Sequence, residues 1–148
     1  MARINSDAVN TPAEFQSITG ASAIEFVLAQ TSPDGKPTKG INRVKGFKSD
    51  FTIEDNEELK AQSYWPAENY LNIWVCNLTD RYGFTQFPVS TLPGLESSSK
   101  NRLTDGLVIS FEVFGSSADG NFLLKPPYSK GRTTTHEMGH FFGLRHTW

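Results

Sequence analysis

The chain has 148 residues, of which 37% are hydrophobic, 12% aromatic and 20% charged, with a formal net charge of -2 at pH 7. That is one domain's length with enough apolar sequence for a packed core, and it excludes a disordered chain. Lysine and arginine are scattered, and no apolar run approaches the roughly 18 residues of a membrane span, so neither nucleic acid nor a membrane is expected as a partner. The opening MARINSDAVN lacks the basic start and apolar stretch of a secretory leader, so no signal peptide is expected. It fits a cytosolic protein or a segment of a longer precursor.

Apolar β-formers with a polar exit make AIEFVLAQ (23–30) the first expected strand. TSPDGKPTKG (31–40), with two prolines and two glycines, is a loop. Alternation in INRVKGFK (41–48) predicts a second strand. EDNEELKA (54–61) is compatible with a short helix, a single helical turn or an irregular loop. YLNIWVCNL (70–78) is nearly continuous in β-branched and aromatic residues, the pattern of a strand buried on both faces.

Cys76 in that strand is the only cysteine, so no intrachain disulfide and no cysteine-based metal site can form. A free thiol in such a run is expected to be buried. Asn77-Leu78-Thr79, at the strand's end, also matches a glycosylation acceptor. GFTQF (83–87) is a short strand stopped by Pro88, which confines it to a sheet edge or a strand end. GLVISFEVF (106–114) is a further strand, and LKPPYSKG (124–131) a loop. The fold class expected is mixed α/β, of the α+β type: about five strands, a strong C-terminal helix and a shorter helix nearer the N-terminus.

The last sixteen residues, TTTHEMGHFFGLRHTW, contain H-E-x-x-H-x-x-G-x-x-H: His136, Glu137, His140, Gly143 and His146. Thr134 and Glu137 have the spacing of a capping box, which would occupy the carboxylate at the helix start. Since Glu137 is assigned to chemistry, the helix is expected to begin near Ser129 and to end at Gly143. On it His136 and His140 share one face and can point imidazole nitrogens at one ion about 2.0–2.1 Å away. His146, six residues after His140, cannot share that face, so the helix must break between them. Gly143 supplies the break.

Three neutral histidines leave a fourth zinc position open to water, the catalytic rather than the structural pattern. Zinc lowers the pKa of such a water to about 7, and Glu137, beside the first ligand, is placed to accept its proton and deliver it to a leaving amine. The reaction class is metal-assisted amide hydrolysis. A chance match of five fixed positions is on the order of 10⁻⁴ to 10⁻⁵ at average residue usage, and all three histidines of the chain fall in the motif.

HEMGHFFGLRH resembles the long zinc motif of the metzincin clan of metallopeptidases. YLNIWVCNL, GFTQFP, GLVIS and GRTTTHEMGH, in that order, are similar to the pappalysin (cytophagalysin) family, with SDAVNTPAEF and IEFVLAQ matching its N-terminal part. The resemblance implies a secreted zinc endopeptidase acting on a peptide or protein substrate. Its fold would be a metzincin-like upper subdomain: a twisted mixed five-stranded sheet, the zinc-binding active-site helix and a backing helix. It also implies that GFTQFP is the edge strand above the cleft, with Phe84, Thr85 and Gln86 offering backbone groups to a substrate strand.

Metzincins carry a methionine-containing turn under the zinc. The only methionines here are Met1 and Met138, so residues 1–148 are expected to form a catalytic domain without its lower, C-terminal subdomain. Calcium, found in the family, has no support in this chain. His146 lies two residues from the chain's end, so its metal bond is expected to be the weakest. Phe141, Phe142, Leu144 and Trp148 would then be exposed, which invites self-association. A non-catalytic zinc-binding fragment, or one half of a split peptidase, is the alternative, although a site that only holds metal needs no general base at position 137.

Overall fold

The structure is a computed structural model and describes residues 9–20, 23–96 and 98–146, which leaves Trp148 outside the described residues. The chain divides into two compact units, Met1–Ile41 and Asn42–Trp148. The first contains one helical turn, α1 (Ala13–Gln16), entered from Pro12. The expected loop 31–40 is a closed turn there, with Thr31 bridging Pro37 and the Ser32 amide donating to the Lys36 carbonyl at 2.8 Å. Residues 23–30 form no strand, and neither do residues 41–48.

The second unit is built on a sheet of three described strands rather than five: β1 (Ile73–Cys76), β2 (Gly83–Thr85) and β3 (Leu107–Ser110), in the order β1-β3-β2. β1 runs parallel to β3 with Trp74 opposite Val108, and β2 runs antiparallel to β3 with Phe84 opposite the same valine. The sheet is therefore mixed, as expected. Side chains alternate across it. Trp74, Val108 and Phe84 point to one face, where they pack with Phe51, Leu59 and Leu78. Leu107 and Ile109 point to the other, where they join Val113, Leu71, Tyr82, Met138 and Phe141.

The strand buried on both faces is β3, not the residue 70–78 run. All four β3 residues are buried, whereas Ile73 and Val75 of β1 are 39% and 44% exposed. β3 is central and β1 is a margin of the described sheet. Apolar composition marks a strand, but which neighbours cover it depends on topology. Cys76 ends β1 half-buried, and burial, helped by the Asp55 carboxylate, pushes its thiol up to about 11.

Each face has a helix. α2 (Asn56–Ala61) follows a short 3₁₀ turn, Ile53–Asp55, where the Asp55 carboxylate accepts from the Thr52 amide at 2.8 Å. It places Leu59 in the first core cluster. α3 (Arg132–Phe141) packs on β2 and β3 from the other side. It begins at Arg132, three residues later than expected, because Gly131 (φ +69) turns the chain immediately before it. The Thr134–Glu137 spacing falls inside the helix and forms no cap. No described helix is long and apolar enough to cross a membrane.

Lys60 of α2 is fully buried. Its ammonium donates to the carbonyls of Thr104 (2.7 Å) and Gly106 (3.3 Å) and lies 5.2 Å from the ring centres of both Trp74 and Phe84. It pins the turn before β3 to the core. Burial pushes its pKa down to about 8 from 10.5, against the pull of the Asp105 carboxylate.

A base whose folded pKa is lowered makes the fold bind fewer protons than the unfolded chain between those two values, so stability rises with pH across about 8 to 10.5. Urea unfolding of the wild type and Lys60→Met at pH 7.5 and pH 10 checks this. The wild type should gain about 2 kcal/mol more than the variant over that interval. Equal pH responses would show that the buried amine does not titrate as its surroundings require.

Candidate metal centre

α3 sets the site through its faces. Thr134, Glu137, Met138 and Phe141 follow the i, i+3, i+4, i+7 stripe that turns towards the sheet. Met138 and Phe141 pack into the second core cluster, and Glu137 is only 6% exposed. His136 and His140 lie on the neighbouring flank, His136 exposed and His140 half-buried. The helix therefore separates its two chemistries by about a third of a turn: imidazoles towards the open side, the carboxylate towards β2.

The helix closes as a Schellman turn. The Leu144 amide donates to the Gly139 carbonyl (2.9 Å) and the Gly143 amide to the His140 carbonyl (2.8 Å), with Gly143 at φ +86. This is the paired 6→1 and 5→2 pattern that needs a left-handed residue just past the helix. Leu144 folds back over Gly139, where a β-carbon would sit 3.6 Å from its Cδ1. The break expected at Gly143 is thus present and has a specific geometry.

The reversal returns His146 to the other two histidines. The Nε2 atoms of His136 and His140 are 3.0 Å apart, those of His140 and His146 3.1 Å, and those of His146 and His136 2.9 Å. His140 Nδ1 donates to the Leu144 carbonyl at 2.7 Å. A carbonyl can only accept, so the proton sits on Nδ1 and the Nε2 lone pair points into the cluster. Such a second hydrogen bond orients a metal-ligating imidazole. The Phe87 ring lies 5.1 Å from the His140 ring.

Three nitrogen acceptors converging this closely suit one divalent ion about 2.0–2.1 Å from each, and the all-imidazole set suits zinc. They form the sole such donor group among the described residues. They line a shallow hollow of about 260 Å³ with Thr135, Gly139, Leu144 and Arg145. A cleft of about 600 Å³ bounded by Gln86, Phe87, Arg102, Asp105 and Phe141 lies at the end of β2.

The Glu137 carboxylate is held from β2. Thr85 Oγ1 lies 2.9 Å from Glu137 Oε2 and 3.0 Å from the Glu137 main-chain carbonyl. Two residues along the same strand face, a β-carbon on Gly83 would come within 2.9 Å of Glu137 Cγ, so only glycine lets the helix approach there. Neither role was read from the sequence, which pointed only to the backbone of Phe84, Thr85 and Gln86. The visible signal was the period of two that puts Gly83 and Thr85 on one side of GFTQF.

No family model matches the chain. An extracellular metalloprotease of Colletotrichum graminicola is 37% identical over 127 residues, covering 84% of this chain and 37% of that protein. One from Neurospora crassa is 32% identical over 107 residues, covering 67% of this chain and 34% of its own length. The structure of mature mirolysin from Tannerella forsythia in complex with a cleaved peptide superposes with a TM-score of 0.80 at 40% identity, over 99% of this chain and 52% of that one. The chain belongs to this family of metalloproteases.

The chain spans just over a third of the length of the first of these curated relatives and about half of the mirolysin chain. Metalloprotease membership implies a metal. Of the apolar residues expected at its surface, Phe142 and Leu144 are 47% and 67% exposed, while Phe141 is half-buried in the core. The glycosylation-like Asn77 has its side-chain amide donating to Asp50 at 2.5 Å.

Replacing Gly143 tests the turn. Gly143→Ala forces a β-carbon into left-handed backbone, worth about 1–2 kcal/mol, and places it 3.3 Å from Leu95 Cδ1. Unfolding free energy should fall by that amount, and zinc affinity in a competitive chelator titration should fall with it. An unchanged affinity in a destabilised variant would show that the turn does not place His146.

Proposed function

We propose that this chain carries the zinc-holding part of a metzincin-like catalytic domain and acts as a zinc metalloendopeptidase, with His136, His140 and His146 as ligands and Glu137 as general base. The observation that carries the reading is the convergence of three Nε2 atoms within 3.1 Å of one another, with Glu137 following the first of these histidines on α3 and its carboxylate turned towards the edge strand. Zinc bound there would activate a coordinated water and polarise a substrate carbonyl.

The residues of the chain do the rest. The Glu137 carboxylate receives the proton of the attacking water and returns it to the departing amine, a relay between two oxygens and a nitrogen that leaves the enzyme unchanged. The edge of β2 that has no partner among the described strands binds an extended peptide by strand addition, its main-chain amides and carbonyls supplying the hydrogen bonds that align the scissile bond. β3 already satisfies the other edge of β2. The substrate is accordingly a peptide or unfolded protein segment. Action outside the cell accords with the extracellular metalloproteases to which the chain is similar.

A zinc-loaded chain offered a quenched fluorescent peptide library should cleave it and hold one zinc. Removing the metal with a chelator should abolish cleavage, and Glu137→Ala should lower kcat roughly 10²–10⁴-fold without releasing zinc. Cleavage that survives both changes would overturn the assignment. Zinc retained at one equivalent without cleavage would make the chain a metal-holding fragment instead.

A further inference from the structure

We propose that Thr85 is a positioning residue for Glu137, its hydroxyl fixing the carboxylate in the orientation from which it takes and returns a proton. The inference rests on the general-base reading of Glu137 and goes beyond it, to what aims the base.

Glu137 occupies a core-facing position of α3, between Thr134 and Met138 on the inward stripe, where an amphipathic helix ordinarily carries an apolar residue. A carboxylate there loses water and needs a donor in return. Thr85 Oγ1 meets that need at 2.9 Å from Oε2. Gly83 leaves the room that Glu137 Cγ needs, since a β-carbon there would stand 2.9 Å away. The side chain is thus admitted by Gly83 and held at its tip by Thr85, two residues of one three-residue strand.

Two oxygens of Glu137, Oε2 and the main-chain carbonyl, lie within 3.0 Å of Thr85 Oγ1, so one hydroxyl ties both the carboxylate and the helix backbone at that residue to β2. Valine has the same shape but no hydrogen to donate, whereas serine keeps the donor.

Substrate pairing uses the backbone of β2, so a change confined to the Thr85 side chain should separate kcat from KM. In zinc-loaded protein, Thr85→Val should lower kcat roughly 10- to 100-fold, the usual range for loss of a group that supports a catalytic one, with KM within about twofold and zinc content unchanged. Thr85→Ser should recover most of the loss. A merely structural role would instead show as reduced thermal stability in both variants, with no kcat-specific defect. Full kcat in Thr85→Val, with Glu137→Ala inactive, would overturn this inference and leave the general-base reading standing. A wild type that holds zinc and cleaves nothing would remove both.

Discussion

A left-handed turn at one glycine makes a single stretch of chain into a three-point cluster. On an unbroken helix, His136 and His140 would stack a turn apart and a histidine six residues later would leave their flank. Gly143 instead ends the helix with two short hydrogen bonds that also satisfy helix carbonyls. The next carbonyl, Leu144, reaches back to His140 Nδ1. The reversal that returns His146 therefore also fixes which nitrogen of His140 faces inward. The placement of His146 and the tautomer of His140 follow from one piece of backbone.

That turn can be useful only if the helix before it is fixed, and the sheet does this. Met138 and Phe141 lock α3 onto the cluster around Leu107, Ile109 and Val113. Each fully buried aliphatic side chain there contributes about 1.5–3 kcal/mol. Gly83 sets how closely the helix may approach. The helix thus sits in register with β2, and its carboxylate lies over the edge strand and not over the sheet's centre. From the opposite face, Lys60 ties the turn leading into β3 to the same sheet, at the cost of a desolvated charge.

The site was more legible than the fold around it. H-E-x-x-H-x-x-G-x-x-H encodes its geometry locally: a helical repeat, a mandatory glycine, and a return. Nothing distant is needed to place three histidines whose spacing is fixed by ten consecutive peptide units. Strand extents are not local in this sense. The run 70–78 is the longer apolar stretch, yet β3 is the buried strand because it has a described partner on each side. Residues 23–30 have apolar β-formers and 41–48 strand-like alternation without forming described strands, since either gives only a preference and pairing requires a partner. The roles of Gly83 and Thr85 were hidden for the same reason. They depend on α3, more than 45 residues later in the sequence, lying across that particular strand face.

β2 carries a conflict that its brevity resolves. An unpaired strand edge is a hazard because any extended chain can add to it, and in the proposed function that openness is what receives substrate. Three residues with Pro88 close behind offer few hydrogen-bonding positions, too few for a stable edge-to-edge pairing of two copies. They suffice for a peptide that gains further contacts at the metal. Because Gly83 and Thr85 face α3, in that function the strand would present its backbone to the peptide and the Thr85 hydroxyl to Glu137. A short edge strand can therefore align the substrate and the group that acts on it with no moving part between them.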